Sequence, residues 1–169
     1  VFLSVYVLYL TRDLGLGPGA VGLVFALGGV GALPGALAAG PAVRVLGRGP
    51  MIAVSAVLCG FFGFAIPLAV LFPEIALPMV LAAEFFQWLF LAAYRVGEAS
   101  LRQEITPDHI LGRVNATQRF MVYGAIPLGG LLGGILGELA GVPLTLVVGM
   151  AGTLPASLWT LLPPVRGVR

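Results

Sequence analysis

Apolar runs long enough to cross a lipid bilayer recur through the whole chain, separated only by short segments rich in Gly, Pro and Arg. Hydrocarbon offers no water to satisfy backbone N–H and C=O groups, so such runs must be helices, each of about 20 residues. The spacing predicts six spans, over residues 1–11, 19–43, 50–72, 78–101, 114–137 and 142–162. The intervening segments "TRDLGLGP", "RVLGRG", "FPEIALP", "RQEITPDHILGR" and "ELAGVP" are short, which predicts antiparallel packing of successive helices. Composition agrees, since 59% of residues are hydrophobic and only 9% are charged, where soluble domains carry about a quarter. The expected fold is an all-α polytopic membrane bundle of six transmembrane helices, one domain over residues 1–169. No basic leader precedes the first run, which argues against a cleavable signal peptide. Val1 already lies inside that run, so the first helix reads as truncated.

Charge then orients the bundle. All nine basic residues are arginines. Counted on alternate sides, Arg44, Arg48, Arg95, Arg102, Arg113, Arg119, Arg166 and Arg169 share one side, and only Arg12 lies on the other. Positive charge is retained on the cytoplasmic side, so that side carries "RVLGRG", "RQEITPDHILGR" and both ends of the chain. A few placed cations do not make a basic face, and nucleic-acid binding is excluded as a reading. Cys59 is the only cysteine and His109 the only histidine, which removes disulfides, paired metal ligands and Cys- or His-based catalytic sets. "GPGAVG", Gly17 to Gly22, fits a dinucleotide fingerprint but follows a membrane span and has no acidic partner about 20 residues on. No phosphate-binding GxxxxGK[ST] run occurs. Neither an enzyme nor a cofactor is expected.

The fourth span carries what the others lack. At 100° per residue, Glu84, Gln87, Tyr94, Arg95, Glu98 and Arg102 fall within about 100° of one another. An ionisable side chain at the bilayer centre costs about 2.5–3.5 kcal/mol on insertion scales, so this stripe must face a partner helix or a wet cavity. Arg95, Glu98 and Arg102 lie toward the cytoplasmic end, where they can snorkel or pair at i, i+3 and i, i+4. Glu84 lies roughly 9 Å in from the outer end. Either it lines a cavity, as a carboxylate that binds a cation or exchanges a proton, or a neighbouring helix satisfies it. In the fifth span Asn115, Arg119 and Tyr123 share a face that continues into Gly130 and Gly137. Two helices polar on facing stripes predict a vestibule open to the cytoplasm.

Glycine numbers 25 in 169 residues, with four-residue spacing at Gly31 and Gly35 and again along Gly129, Gly130, Gly133, Gly134 and Gly137. Small residues four apart let helix backbones approach closely in lipid, where packing holds helices together. In the charged connection, Thr106, Pro107 and Asp108 read as a helix start, with Thr as N-cap and Pro at the first position. Gly112 reads as the end of that short turn, and Arg113 and Arg119 as the start of the fifth span.

The stretch from Gly22 to Arg48, a Gly-rich helix closing on a turn that carries Gly40, Arg44, Gly47 and Arg48, resembles a helix pair of the major facilitator superfamily. Pro107, Asp108, Gly112, Arg113, Val114, Asn115 and Ala116, followed by "MVYGAIPLGGLLGGILGELAG", resemble the connection between the tenth and eleventh helices in its enterobactin-exporter and macrolide-efflux-like branch. The resemblance implies the C-terminal half of a twelve-helix secondary transporter of the bacterial inner membrane. It implies proton-coupled efflux of a hydrophobic or amphipathic small molecule, with an N-terminal six-helix half as partner. Glu84, Gln87, Tyr94, Arg95, Glu98, Arg119 and Tyr123 would then line the substrate and proton pathway. Gly40, Arg44, Gly47, Arg48, Pro107, Asp108, Gly112 and Arg113 would form the cytoplasmic gate. The turn after Gly40 departs from the family's better-known N-terminal turn in lacking an acidic residue. A non-transporting six-helix membrane scaffold, or a self-associating subunit that builds a pore by pairing with another copy, is the competing expectation, and membrane lipid is a partner on either reading.

Overall fold

The computed structural model describes residues 2–152, and every regular element among them is helical. In order these are α1 (Phe2–Leu8), running into a π-helical turn at Tyr9–Asp13, α2 (Pro18–Leu46), α3 (Arg48–Leu68), α4 (Ala76–Ile105), α5 (Asp108–Ala140) and α6 (Val142–Ala151). Two 3-10 turns, Ala69–Leu71 and Pro73–Ile75, join α3 to α4. Segments Pro18–Leu46, Arg48–Leu71, Pro73–Ile105 and Asp108–Ala140 are each long and apolar enough to cross a membrane. The all-helical, six-helix architecture expected from the sequence is the one that forms. Residues 153–162 of the sixth predicted span, with Arg166 and Arg169, lie outside the described residues.

The connections are shorter than the hydropathy breaks suggested. α2 and α3 are separated by Gly47 alone, at φ +84°, where its N–H donates to the Val43 carbonyl at 2.9 Å. Only glycine takes that backbone region without strain. Gly141, at φ +83°, joins α5 to α6 in the same way. The charged connection departs most from expectation. Only Thr106 and Pro107 are non-helical, and Gly112 lies inside α5 instead of ending a short turn. Pro107, at φ −56° and ψ 140°, holds the N-cap position expected for Thr106, and no side chain caps the helix. Its carbonyl accepts the N–H groups of Ile110 and Leu111 at 3.1 and 3.2 Å, so the ladder starts there. A glycine then costs the helix about 1 kcal/mol, too little to break 33 residues of continuous hydrogen bonding.

α4 is the hub. α2 lies against it through the buried stripe Gly28, Gly31, Gly35 and Ala39. A methyl group on Gly31 would run into the Phe85 carbonyl, and one on Gly35 into that of Leu89, so here two backbones touch. α3 packs on another side, with Met51 and Ile52 over Gly97, and Gln87 over Gly63. At the end that carries Arg12, opposite the other described arginines, Tyr6, Tyr9, Leu10, Val24, Ile66, Val80 and Leu146 form the main apolar core. There the Tyr9 hydroxyl donates to the Ile66 carbonyl at 2.9 Å and accepts the Val70 N–H at 3.1 Å. The side chain is thus inserted where an i to i−4 bond would stand, at the point where α3 gives way to a 3-10 turn behind Pro67.

α5 is different. It packs mainly on α1 and α6, and of its 33 residues only Gly133 is buried. Methyl groups built on Gly124, Gly130 and Gly134 would meet nothing within 4 Å. The space between α4 and α5 is where the site lies.

Candidate functional site

At the arginine-rich end, polar side chains of α4 and α5 face one another across a cavity of about 500 Å³. α4 contributes Arg95, Glu98 and Arg102, repeating every three to four residues so that one helix face carries them all. α5 contributes Asn115, Gln118, Arg119 and Tyr123 on the same principle. Ala99 and Val122 supply an apolar wall. The cavity is therefore amphipathic.

A hydrogen-bonded link spans this cavity from α4 to α5. Arg102 Nη2 donates to Glu98 Oε1 at 2.5 Å, an i, i+4 ion pair, and Arg102 Nη1 donates to Asn115 Oδ1 at 3.3 Å. Gln118 Nε2 donates to the same Glu98 oxygen at 2.9 Å. Glu98 and Arg102 thus hold α5 to α4 through two neutral side chains, while Arg95 and Arg119 line the cavity and take no part in the link. No carboxylate of the described residues comes within 4.0 Å of either.

Depth follows from helix register. Gly97 of α4 packs on Met51 and Ile52 of α3, so in this antiparallel pair Arg95 is level with about Val54. That is six residues, about 9 Å, inside the start of α3 at Arg48. The Asn115–Arg102 and Gln118–Glu98 bonds likewise put Tyr123 level with about Tyr94.

The expected pathway residues are not all gathered here. Arg95, Glu98, Arg119 and Tyr123 line the cavity, and Glu84, Gln87 and Tyr94 do not. Glu84 is 2% exposed, in the interface of α1, α2 and α4. One carboxylate oxygen accepts the Tyr6 hydroxyl at 2.8 Å and the other accepts Trp88 Nε1 at 2.9 Å. Gly28 makes that arrangement possible, because a methyl group there would stand 2.7 Å from the Trp88 ring. The Gln87 amide lies against Gly63, next to Met150 of α6. Tyr94 is half-buried on α4.

The residues expected to gate are spread along the same end. Gly40 and Arg44 are exposed on the last turns of α2, and a methyl group on Gly40 would meet nothing. Arg48 opens α3 and forms an ion pair with Glu104 of α4. The acidic partner missing from the turn itself is thus supplied by another helix. Asp108, Gly112 and Arg113 are exposed on the first turns of α5. Arg113 lines a second, more apolar groove of about 700 Å³ with Ile110, Val114 and Met121.

Sequence reasoning passed over Tyr6, Trp88, Glu104 and Gln118. Trp88 stands at i+4 from Glu84, and Gln118 at i+3 from Asn115, so helix spacing could have found both. Tyr6 and Glu104 are brought in by tertiary packing, 78 and 56 residues from their partners.

No curated protein and no solved structure matches the chain. A family model described as Major Facilitator Superfamily matches residues 1–168. Bilayer-length apolar helices, small-residue contacts between them and a polar cavity at one end fit that match, and the chain belongs to the major facilitator superfamily of membrane transporters.

Proposed function

We propose that the chain is the C-terminal six-helix half of a secondary transporter that exports a hydrophobic or amphipathic small molecule in exchange for protons. The observation that carries this reading is the amphipathic cavity beside a membrane-length helix, α5, whose surface is almost wholly uncovered. In transporters that work by alternating access, substrate lies between two halves that rock against each other. One half by itself would present one wall of a site and a helix with an unfilled face.

The eight-to-one arginine bias supports a cytoplasmic position for the cavity, with both ends of the chain inside, and the resemblance to bacterial exporters implies the bacterial inner membrane. Substrate would then enter from the cytoplasm. Two carboxylates lie on the α4 stripe as proton carriers. Glu98 is in the cavity, and Glu84 lies 14 residues, about 21 Å, deeper. Protonating Glu84 would weaken its hold on Tyr6 and Trp88, and so on the contact of α1 with α4. That ties a proton to helix movement. The α2–α4 backbone contact would move as a rigid unit, with Gly47 and the Thr106–Pro107 connection as the joints between helices.

The test is transport by the full-length protein in proteoliposomes carrying an imposed pH gradient and a panel of lipophilic dyes. Dye movement that follows the gradient and collapses with a protonophore supports the reading. Dye retention identical to that of protein-free vesicles across the panel, by protein whose size-exclusion profile is monodisperse, refutes it.

A further inference from the structure

The charges in the α4–α5 cavity do not balance. Arg95, Arg102 and Arg119 face it with Glu98 as their only carboxylate, and Glu98 is taken by Arg102. Glu104, the other acid near this end of α4, is paired with Arg48. Among the described residues two guanidinium groups, both exposed to the cavity space, therefore have no carboxylate partner, and Arg95 stands about 9 Å inside the start of α3. A helix-end arginine can snorkel into the headgroup layer, but one set back this far and lining a cavity open on one side needs water or an anion. Arginine is the side chain best shaped to meet a carboxylate or phosphate, through two parallel N–H donors. Tyr123, Ala99 and Val122 add apolar wall next to these cations.

We infer that this cavity binds the anionic group of an amphipathic substrate, with Arg95 and Arg119 as its cationic partners. The inference rests on the transporter reading above and narrows its substrate class from any hydrophobic or amphipathic molecule to an organic acid with an apolar body. Arg102 is not one of the binding cations, because Glu98 and Asn115 already hold it. Its role is to position the cavity wall and keep Glu98 from neutralising Arg95 and Arg119.

The test compares two probes that differ only in charge, 11-(dansylamino)undecanoic acid and its primary amide. They are bound to full-length protein in phosphatidylcholine vesicles, with protein-free vesicles subtracted. Wild type is expected to favour the acid by about tenfold, the worth of one charge-assisted contact. The double variant Arg95→Gln/Arg119→Gln loses the preference, Arg95→Lys/Arg119→Lys keeps most of it, and Arg12→Gln at the far end keeps all of it. Equal affinity for acid and amide, or an acid preference that survives in the double Gln variant, overturns the inference. Displacement of the acid by equimolar phosphatidylglycerol overturns it too, by assigning the site to a lipid headgroup. Transport is read separately. Gradient-dependent transport without acid preference refutes the anion site and leaves the transporter, whereas acid preference without transport of either probe refutes the transporter reading and leaves the site.

Discussion

Adding one methyl group to Gly35 should separate two helices. The α2 backbone at Gly35 lies so close to the Leu89 carbonyl of α4 that a Cβ would overlap it, and Gly31 meets the Phe85 carbonyl in the same way one turn earlier. A backbone carbonyl cannot rotate aside as a side chain can, so α2 must retreat by about 1 Å, and a gap of that size forfeits a quarter to a half of each dispersion contact along the seam. Overpacking of this kind costs about 1–3 kcal/mol. Both collisions are relieved by the same retreat, so Gly31→Ala/Gly35→Ala should cost less than the two single changes added together. Controls lie on the same helix, since methyl groups on Gly29 and Gly40 would meet nothing within 4 Å. Those substitutions should be neutral, or stabilising through helix propensity. Stability is read by titrating dodecyl maltoside micelles with sodium dodecyl sulfate and following helix content. Gly35→Ala at wild-type stability, or as little affected as Gly29→Ala, would refute the backbone contact.

Tyr9→Phe removes the hydroxyl that serves the Ile66 carbonyl and the Val70 N–H; a buried donor left without a partner costs about 1–3 kcal/mol, and hydrogen exchange at Val70 should quicken while that of α5 stays as it was. A double-mutant cycle on Arg48→Gln and Glu104→Gln should return a coupling of about 0.2–1 kcal/mol, because both side chains are open to solvent; a value several times larger would contradict that exposure. Transport assays of the full-length protein should find Glu84→Gln more damaging to proton-coupled export than Glu98→Gln, and undiminished export in both at matched expression would reject a coupling role for Glu84. Bulky substitution on the open face of α5, as in Gly134→Leu, should leave helix content intact yet abolish export if another half closes on that face; full export would contradict a half-site there.

The all-helical class and the four membrane-length helices were legible because burial in lipid is set by composition, which sequence carries directly. Their ends were not, because a helix continues past the hydrocarbon wherever its ladder can. Arg44 and the stretch Glu98–Ile105 stay helical, and chain reversal waits for a backbone feature, φ +84° at Gly47 or the fixed φ of Pro107. Glycine spacing was equally plain and equally incomplete. Gly31 and Gly35 touch a backbone, whereas Gly130 and Gly134, with the same period, face open space. Periodicity identifies a face that can pack closely. What packs on it depends on the rest of the fold.

The polar stripe of α4 shows the same division within one helix. Projection groups Glu84 with Arg95, Glu98 and Arg102, since all point in one direction. Direction is a property of α4 alone, but environment belongs to its neighbours, and these change along its length. Over the half distant from the arginines, α1 and α2 cover the stripe, so Glu84 is sealed between Tyr6 and Trp88. Over the other half α5 stands off, linked to α4 through Asn115 and Gln118, so Glu98 and the arginines open onto a cavity. One stripe thus supplies a buried carboxylate and a cationic vestibule about 21 Å apart. On the proposed reading, a proton taken up by Glu84 in the helix interface and a substrate group held in the vestibule would act on the same helix, and movement of α4 would be the means by which either is felt by the other.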